Sequence, residues 1–176
     1  MESRELKIVR VLPEDNYKLL KISRETFYEA FGPPANTEEN IQAYLDQNIT
    51  LEKITYEILH PESRFFFIFY LNQIVGYIKI NFRTAQTEIV QGKSVEIERI
   101  YIINTYQGKG IGKYTLDRII EIAKEQKLEF IWLGVWEKNL DAIQFYNRND
   151  FKIFAKHKFM LGSDEQTDLM LKLILK

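Results

Sequence analysis

Three glycines and two lysines are interleaved in Tyr106-Gln107-Gly108-Lys109-Gly110-Ile111-Gly112-Lys113, which follows an apolar run and opens an amphipathic one. A strand-to-helix junction of this composition is suited to hold a phosphate. Glycine lets the backbone approach a ligand closely, and the first N–H groups of a helix lack intrahelical partners, so they and the helix dipole favour an anion. The plainer alternative is a Gly-rich turn that only joins a strand to a helix.

Spacing rejects two phosphate-binding chemistries. A nucleoside-triphosphatase loop needs four residues between its first glycine and a Gly-Lys-Ser/Thr ending, whereas Gly112-Lys113 is followed by Tyr114, which offers no small hydroxyl to magnesium. A dinucleotide fingerprint fits no better, because Gly108, Gly110 and Gly112 are spaced two apart and lie mid-chain after a hairpin.

The elements that must position this segment follow from hydrophobic period. Leu6–Leu12 reads as a strand ended by Pro13, and Glu14–Phe31 carries apolar residues at helical spacing up to Gly32. Thr37 and Thr50 are suited to cap shorter helices over Glu38–Leu45 and Leu51–Leu59. Arg64–Leu71 and Ile74–Phe82, flanking Asn72-Gln73, form an expected hairpin, and a further strand is expected over Ser94–Ile103. Beyond the glycines come a helix from Gly110 to Gln126, a buried strand at Phe130–Val135, a helix from Leu140 to Asn149, and strands at Phe151–Met160 and Thr167–Leu175. The fold class is α/β with an α+β-like mixed sheet, parallel in the centre and antiparallel outside.

The chain's 176 residues, 45% of them hydrophobic, suffice for a single domain spanning 1–176. A formal net charge of −1 gives no reason to expect nucleic acid as a partner. The absence of cysteine excludes disulfides, thiolate metal sites and a cysteine nucleophile. His60 and His157 stand apart without ligand partners at metal spacing, so no metal is expected. The charged Met1-Glu2-Ser3-Arg4-Glu5 start leads into no signal-like stretch and no apolar run is long enough to span a bilayer, so a cytoplasmic protein with no membrane partner is expected.

Gln107, Gly110 and Gly112 match the Gln/Arg-x-x-Gly-x-Gly/Ala loop of the GNAT superfamily of N-acetyltransferases. Glu98-Arg99-Ile100-Tyr101-Ile102 resembles that family's fourth strand, and Asn139-x-x-Ala142-x-x-Phe145-Tyr146 its downstream helix. At finer grain, Glu98 to Tyr101, Ile131 to Glu137 and Glu165 to Asp168 resemble the bacterial PaiA-type spermidine/spermine N-acetyltransferases. One departure is Asp150-Phe151, where the family usually has Gly-Phe, which puts the geometry of that turn in question.

The resemblance implies the GNAT fold, a sheet of about seven strands splayed between the fourth and fifth with helices on both faces. It also implies acetyl-CoA as co-substrate, held by Ile100, Tyr101, Ile102, Gln107, Gly108, Lys109, Gly110, Ile111, Gly112, Lys113, Asn139 and Tyr146. Backbone groups of Ile100 and Ile102, unpaired where the sheet splays, would bond the acetyl carbonyl and pantetheine amides. Direct transfer needs an uncharged amine, and hence a proton acceptor. Glu96 and Glu98 are the candidates, alone or through water. On a strand both point to the face of Ile100 and Ile102, and so towards the cleft; otherwise they are solvated or salt-bridged residues. Tyr146 matches the family's proton donor to the leaving thiolate, on a helical face shared with Asn139 and Ala142 while Phe145 turns to the core; alternatively it is a packed aromatic. Asn139 either holds a pantetheine amide or caps its helix.

Phe27, Tyr28, Glu29 and Phe31, with Trp136, form a mixed aromatic and acidic group suited to a polyamine, or else an ordinary half-buried helix face. The implied acceptor is a small amine such as spermidine or spermine; protein or peptide amines, and a non-catalytic acyl-CoA-binding regulator, are the alternatives. The family resemblance also admits a homodimer.

Overall fold

Runs of β-branched and aromatic residues form the strands, and apolar residues at helical spacing form the helices that cover them. The computed structural model describes residues 6–161 and 164–176. The charged N-terminal segment read above and the pair Gly162-Ser163 lie outside the described residues. In chain order the elements are β1 (Leu6–Arg10), α1 (Asn16–Phe31), α2 (Glu38–Asn48), α3 (Leu51–Leu59), β2 (Ser63–Tyr70), β3 (Gln73–Phe82), β4 (Ser94–Ile102), α4 (Ile111–Glu125), β5 (Phe130–Trp136), α5 (Leu140–Arg148), β6 (Lys152–Leu161) and β7 (Asp164–Ile174). Thr37 and Thr50 cap α2 and α3 by accepting from the N–H of Asn40 and Lys53. The β2–β3 turn falls one residue earlier than expected: Leu71 and Asn72, both at positive φ, form the two-residue connection.

The strands form one seven-stranded sheet in the order β1-β2-β3-β4-β5-β7-β6. Among the described strands only β4 and β5, joined through α4, run parallel; the other neighbours are antiparallel. Helices cover both faces. On one, α4 packs Ile111, Leu116, Ile119 and Ala123 against Ile78, Ile80, Ile97 and Ile131, and Tyr146 of α5 joins the same core. On the other, Leu19, Phe27, Ile41 and Ile54 from α1, α2 and α3 pack against Phe65, Phe67 and Tyr77.

The feature that positions the site is where the parallel pairing stops. β5 pairs with β4 only from Ser94 to Ile97, whereas β3 follows β4 to Ile102. Past Ile97 the sheet splits, and the edge of β4 that faces β5 has no strand partner among the described residues.

Candidate active site

A strand presents successive backbone groups to alternate neighbours. Ile103 donates its N–H to the Val75 carbonyl on the β3 side, so Ile102 and Ile100 direct theirs across the split. The Ile102 carbonyl is already engaged there, because Gln107 Nε2 donates to it at 3.0 Å and to Asn104 Oδ1 at 3.0 Å. Gln107 thus staples the glycine segment to the end of β4, and the polar edge left open centres on Ile100.

That segment turns at Gly108 and Gly110, at φ 73° and 78°, a region that penalises any residue with a Cβ. Gly110 caps α4, so the helix starts one residue later than expected. A cleft of about 600 Å³ runs from this N-terminus along the split, lined by Gly108, Gly110, Gly112 and Lys113 at one end and by Asn139 and Tyr146 at the other. Ile100, Tyr101, Ile102 and Gln107 line it as expected. Two expected ligands do not: Ile111 is a core side chain, 1% exposed, and Lys109 places Nζ 4.9 Å above the Tyr106 ring. Their side chains are drawn off by apolar burial and by the ring face. Lys138, which sequence reasoning missed, does line the cleft, and its one signal is its place directly before the α5 cap.

The two glutamates face the other way from the expectation. The β3–β4 register slips so that Lys79 pairs with Arg99 and Ile80 with Ile97, leaving Glu98 as a β-bulge. The extra residue breaks the alternation. Glu96 and Glu98 therefore share the face of Tyr77, Lys79 and Asn81, not that of Ile100 and Ile102, which pack on the α4 side.

Their environments separate them. Glu98 sits 2.6 Å from Lys79 Nζ and 3.1 Å from Arg99, and both cations also reach Glu57, Arg99 through two bonds of 2.9 Å. Burial pushes the Glu98 carboxyl up, but Arg99 and Lys79 outweigh it and hold it below the usual carboxylate range. Among the described residues, no cation pairs with Glu96. It accepts from the Thr87 N–H at 2.8 Å and from Asn81 at 3.2 Å, and burial, only partly offset by these bonds, raises its pKa.

Asn139 caps α5, its Oδ1 accepting from the Ala142 N–H, and lines the cleft as well, so the two readings of it are compatible. Tyr146 is buried at 6% exposure, packed edge-on against Phe145 and Phe151. Burial raises its pKa, with no charged or hydrogen-bonding neighbour opposing among the described residues, so the phenol keeps its proton and is available as a donor. Phe145 does not simply turn to the core: it also lines the cleft, where its ring lies 3.5 Å from where a Cβ on Gly112 would stand. At the end of α5, Asp150 adopts φ 65° and Phe151 donates to the Tyr146 carbonyl, so the turn keeps the left-handed geometry without glycine.

A second cavity, about 290 Å³, lies on the Glu96 side and shares Ile100, Tyr101, Trp136, Asn139 and Tyr146 with the cleft. Phe27, Phe31 and Trp136 line it as expected. Tyr28 does not, since it is exposed and donates to Glu38, and Glu29 belongs to the first cleft, where it accepts from the Asn104 N–H. Sequence reasoning missed Tyr44, His157 and Asp168 in this lining, because three distant elements bring them together. Among the described residues no cluster of three His, Asp or Glu side chains is placed to hold a metal ion, and no helix is long and apolar enough to cross a membrane.

This arrangement has close relatives among known proteins. Residues 17–151 match the acetyltransferase (GNAT) family. The chain is 38% identical over 167 residues to an uncharacterized N-acetyltransferase of Lactobacillus delbrueckii subsp. lactis, covering 95% of this chain and 96% of that one. It is 27% identical over 136 residues to the spermine/spermidine N(1)-acetyltransferase of Bacillus subtilis, covering 71% and 90% respectively. In fold it is similar to the PaiA N-acetyltransferase of Thermoplasma acidophilum, solved with coenzyme A, with TM-score 0.74, 22% identity and coverage of 95% and 97%.

Proposed function

The chain belongs to the acetyltransferase (GNAT) family, and from that premise we propose that it transfers the acetyl group of acetyl-CoA to a primary amine of a polyamine such as spermidine or spermine. The observation that carries this reading is the meeting of the two cavities at Ile100 and Tyr146, one bordered by a helix N-terminus and the other by aromatic and acidic side chains. The donor cleft fits a phosphorylated thioester: Gly108, Gly110 and the first N–H groups of α4 receive the pyrophosphate, Lys113 and Lys138 supply charge, and the open β4 edge receives the amides. Bound there, the thioester supplies an acetyl carbonyl activated for attack.

The chain's residues manage two protons. The neutral amine nitrogen bonds to the carbonyl carbon, the carbon–sulfur bond breaks, and the products are an N-acetyl amine and the CoA thiol. Glu96, not Glu98, takes the proton that the nitrogen sheds, through water in the acceptor cavity. Burial raises its pKa, the direction a general base needs, whereas Glu98 is committed to Arg99 and Lys79. Tyr146 gives the proton that the departing sulfur gains. The aromatic lining keeps bulk water from competing with the amine.

The polyamine assignment draws on the Bacillus subtilis relative and on the cavity's chemistry. Thiol release from acetyl-CoA, measured across polyamines, amino acids, aminoglycosides and peptide N-termini, tests it. Preferred turnover of spermidine or spermine is expected; preferred turnover of another class would replace the acceptor, and no turnover of any amine would favour an acyl-CoA-binding regulator.

A further inference from the structure

The acceptor cavity holds an uneven set of charges. Its only basic lining residues among those described are Arg99 and His157, and neither is free: Arg99 is bridged by Glu57 and Glu98, and His157 Nδ1 lies 2.8 Å from Glu88 Oε1. An acceptor carboxylate finds no unpaired cation here. Asp168 is the opposite case. It lies on β7 beside Gly134 of β5, with Oδ2 3.4 Å from where a Cβ on that glycine would stand. Burial pushes its carboxyl up, His157 opposes this, and it receives no side-chain hydrogen bond among the described residues.

A further observation suits this carboxylate to a cation. Phe27 and Tyr44 stack at 4.6 Å, and Phe31 lies 5.8 Å from Trp136, giving aromatic walls for a methylene chain and for cation–π contact. Gly134 directly follows Leu133, the last β5 residue paired with β4. Asp168 therefore stands across the split from the open β4 edge, in the cavity that Ile100 also lines. A methylene chain lying in that cavity joins the two.

We propose that Asp168 is the specificity-determining residue that receives the non-reacting ammonium of the acceptor, so that the enzyme selects amines carrying a second positive charge over monoamines and amino acids. This rests on the acetyl-transfer reading above and adds the residue that reads the substrate's far end. The reacting nitrogen must be neutral and sheds its proton toward Glu96, whereas the distant one must stay charged and needs a carboxylate as its ion-pair partner.

The test compares kcat/KM for spermidine and for a monoamine of matching length, by thiol release, in the wild type and in Asp168→Asn. The polyamine-to-monoamine ratio is expected to fall by about tenfold to a hundredfold, the worth of one charged hydrogen bond, through a raised KM for spermidine. Asp168→Glu, which keeps the charge, is expected to restore most of the ratio, and Asp168→Ser takes the place of the Asn variant if that one is unstable. Calorimetric acetyl-CoA affinity equal to wild type shows that the donor side is intact. A ratio that stays put while the wild type acetylates spermidine overturns the role of Asp168 and leaves the function standing. A wild type that acetylates other amines but no polyamine overturns both.

Discussion

Glu96 and Glu98 are two positions apart on one strand, yet their roles diverge because of what surrounds each. Replacing Glu98 with Gln leaves Lys79 and Arg99 with Glu57 as their shared carboxylate, and breaking a buried pair costs about 3 kcal/mol, lowering the melting temperature by about 6–12 °C. Because the folded state holds the Glu98 pKa below its unfolded value, this stabilisation is complete above the ordinary carboxylate range and is lost as pH falls through the depressed value. The stability gap between wild type and Glu98→Gln, followed by denaturant titration, is expected to be widest near neutrality and to close on acidification; a gap independent of pH would remove Glu98 from the charge network. Glu96→Gln is expected to lower kcat/KM by about 10²–10⁴-fold and to abolish an acid limb lying above the usual glutamate range. A pH profile unchanged in shape would shift the base elsewhere. Tyr146→Phe is expected to keep acetyl-CoA affinity but reduce turnover by a similar factor, about 10²–10⁴, and undiminished steady-state turnover would end its part in the mechanism. The residue types at these positions were legible from sequence. Which glutamate suits the proposed base was not, since Lys79 lies on another strand and the bulge that sets how Glu98 meets Lys79 and Arg99 appears only in the pairing with β3.

At the scale of elements, the order of strands and helices was readable because apolar period and capping residues act locally. The bulge at Glu98 left no such mark: no glycine announces it, and only the β3 register reveals it. The turn after α5 was flagged, and the structure answers with Asp150 at φ 65°, a conformation that costs a non-glycine residue about 1 kcal/mol. Asp150→Gly removes that strain but adds freedom to the unfolded chain, so a net gain of about 0.5 kcal/mol is expected, seen as a rise of about 1–2 °C in melting temperature. A fall would mean that the aspartate side chain holds the turn. The same turn carries the Phe151-to-Tyr146 bond, so the variant also reports on how firmly α5 presents Tyr146.

Over the whole molecule, function depends on a sheet that stops pairing halfway. Ligand that binds only the folded state stabilises it, by about 2.7 kcal/mol at a hundred times the dissociation constant, so acetyl-CoA is expected to raise the melting temperature by about 5–10 °C. Gly112→Leu projects into the groove between Ile102 and Phe145 and is expected to abolish that shift, whereas Gly112→Ala, whose methyl meets Phe145 at 3.5 Å, keeps it. An equal shift in both variants would place the ligand elsewhere. From residues alone came the phosphate-suited loop, the mixed sheet and the caps at Thr37, Thr50 and Asn139, because backbone conformation and hydrophobic period depend on near neighbours. Only the tertiary structure decided which way the glutamates face, that Gln107 binds the Ile102 carbonyl, and that Asp168 shares a cavity with Phe27 and Tyr44. Those outcomes depend on strand register and on contacts across distant parts of the chain, which no local pattern encodes.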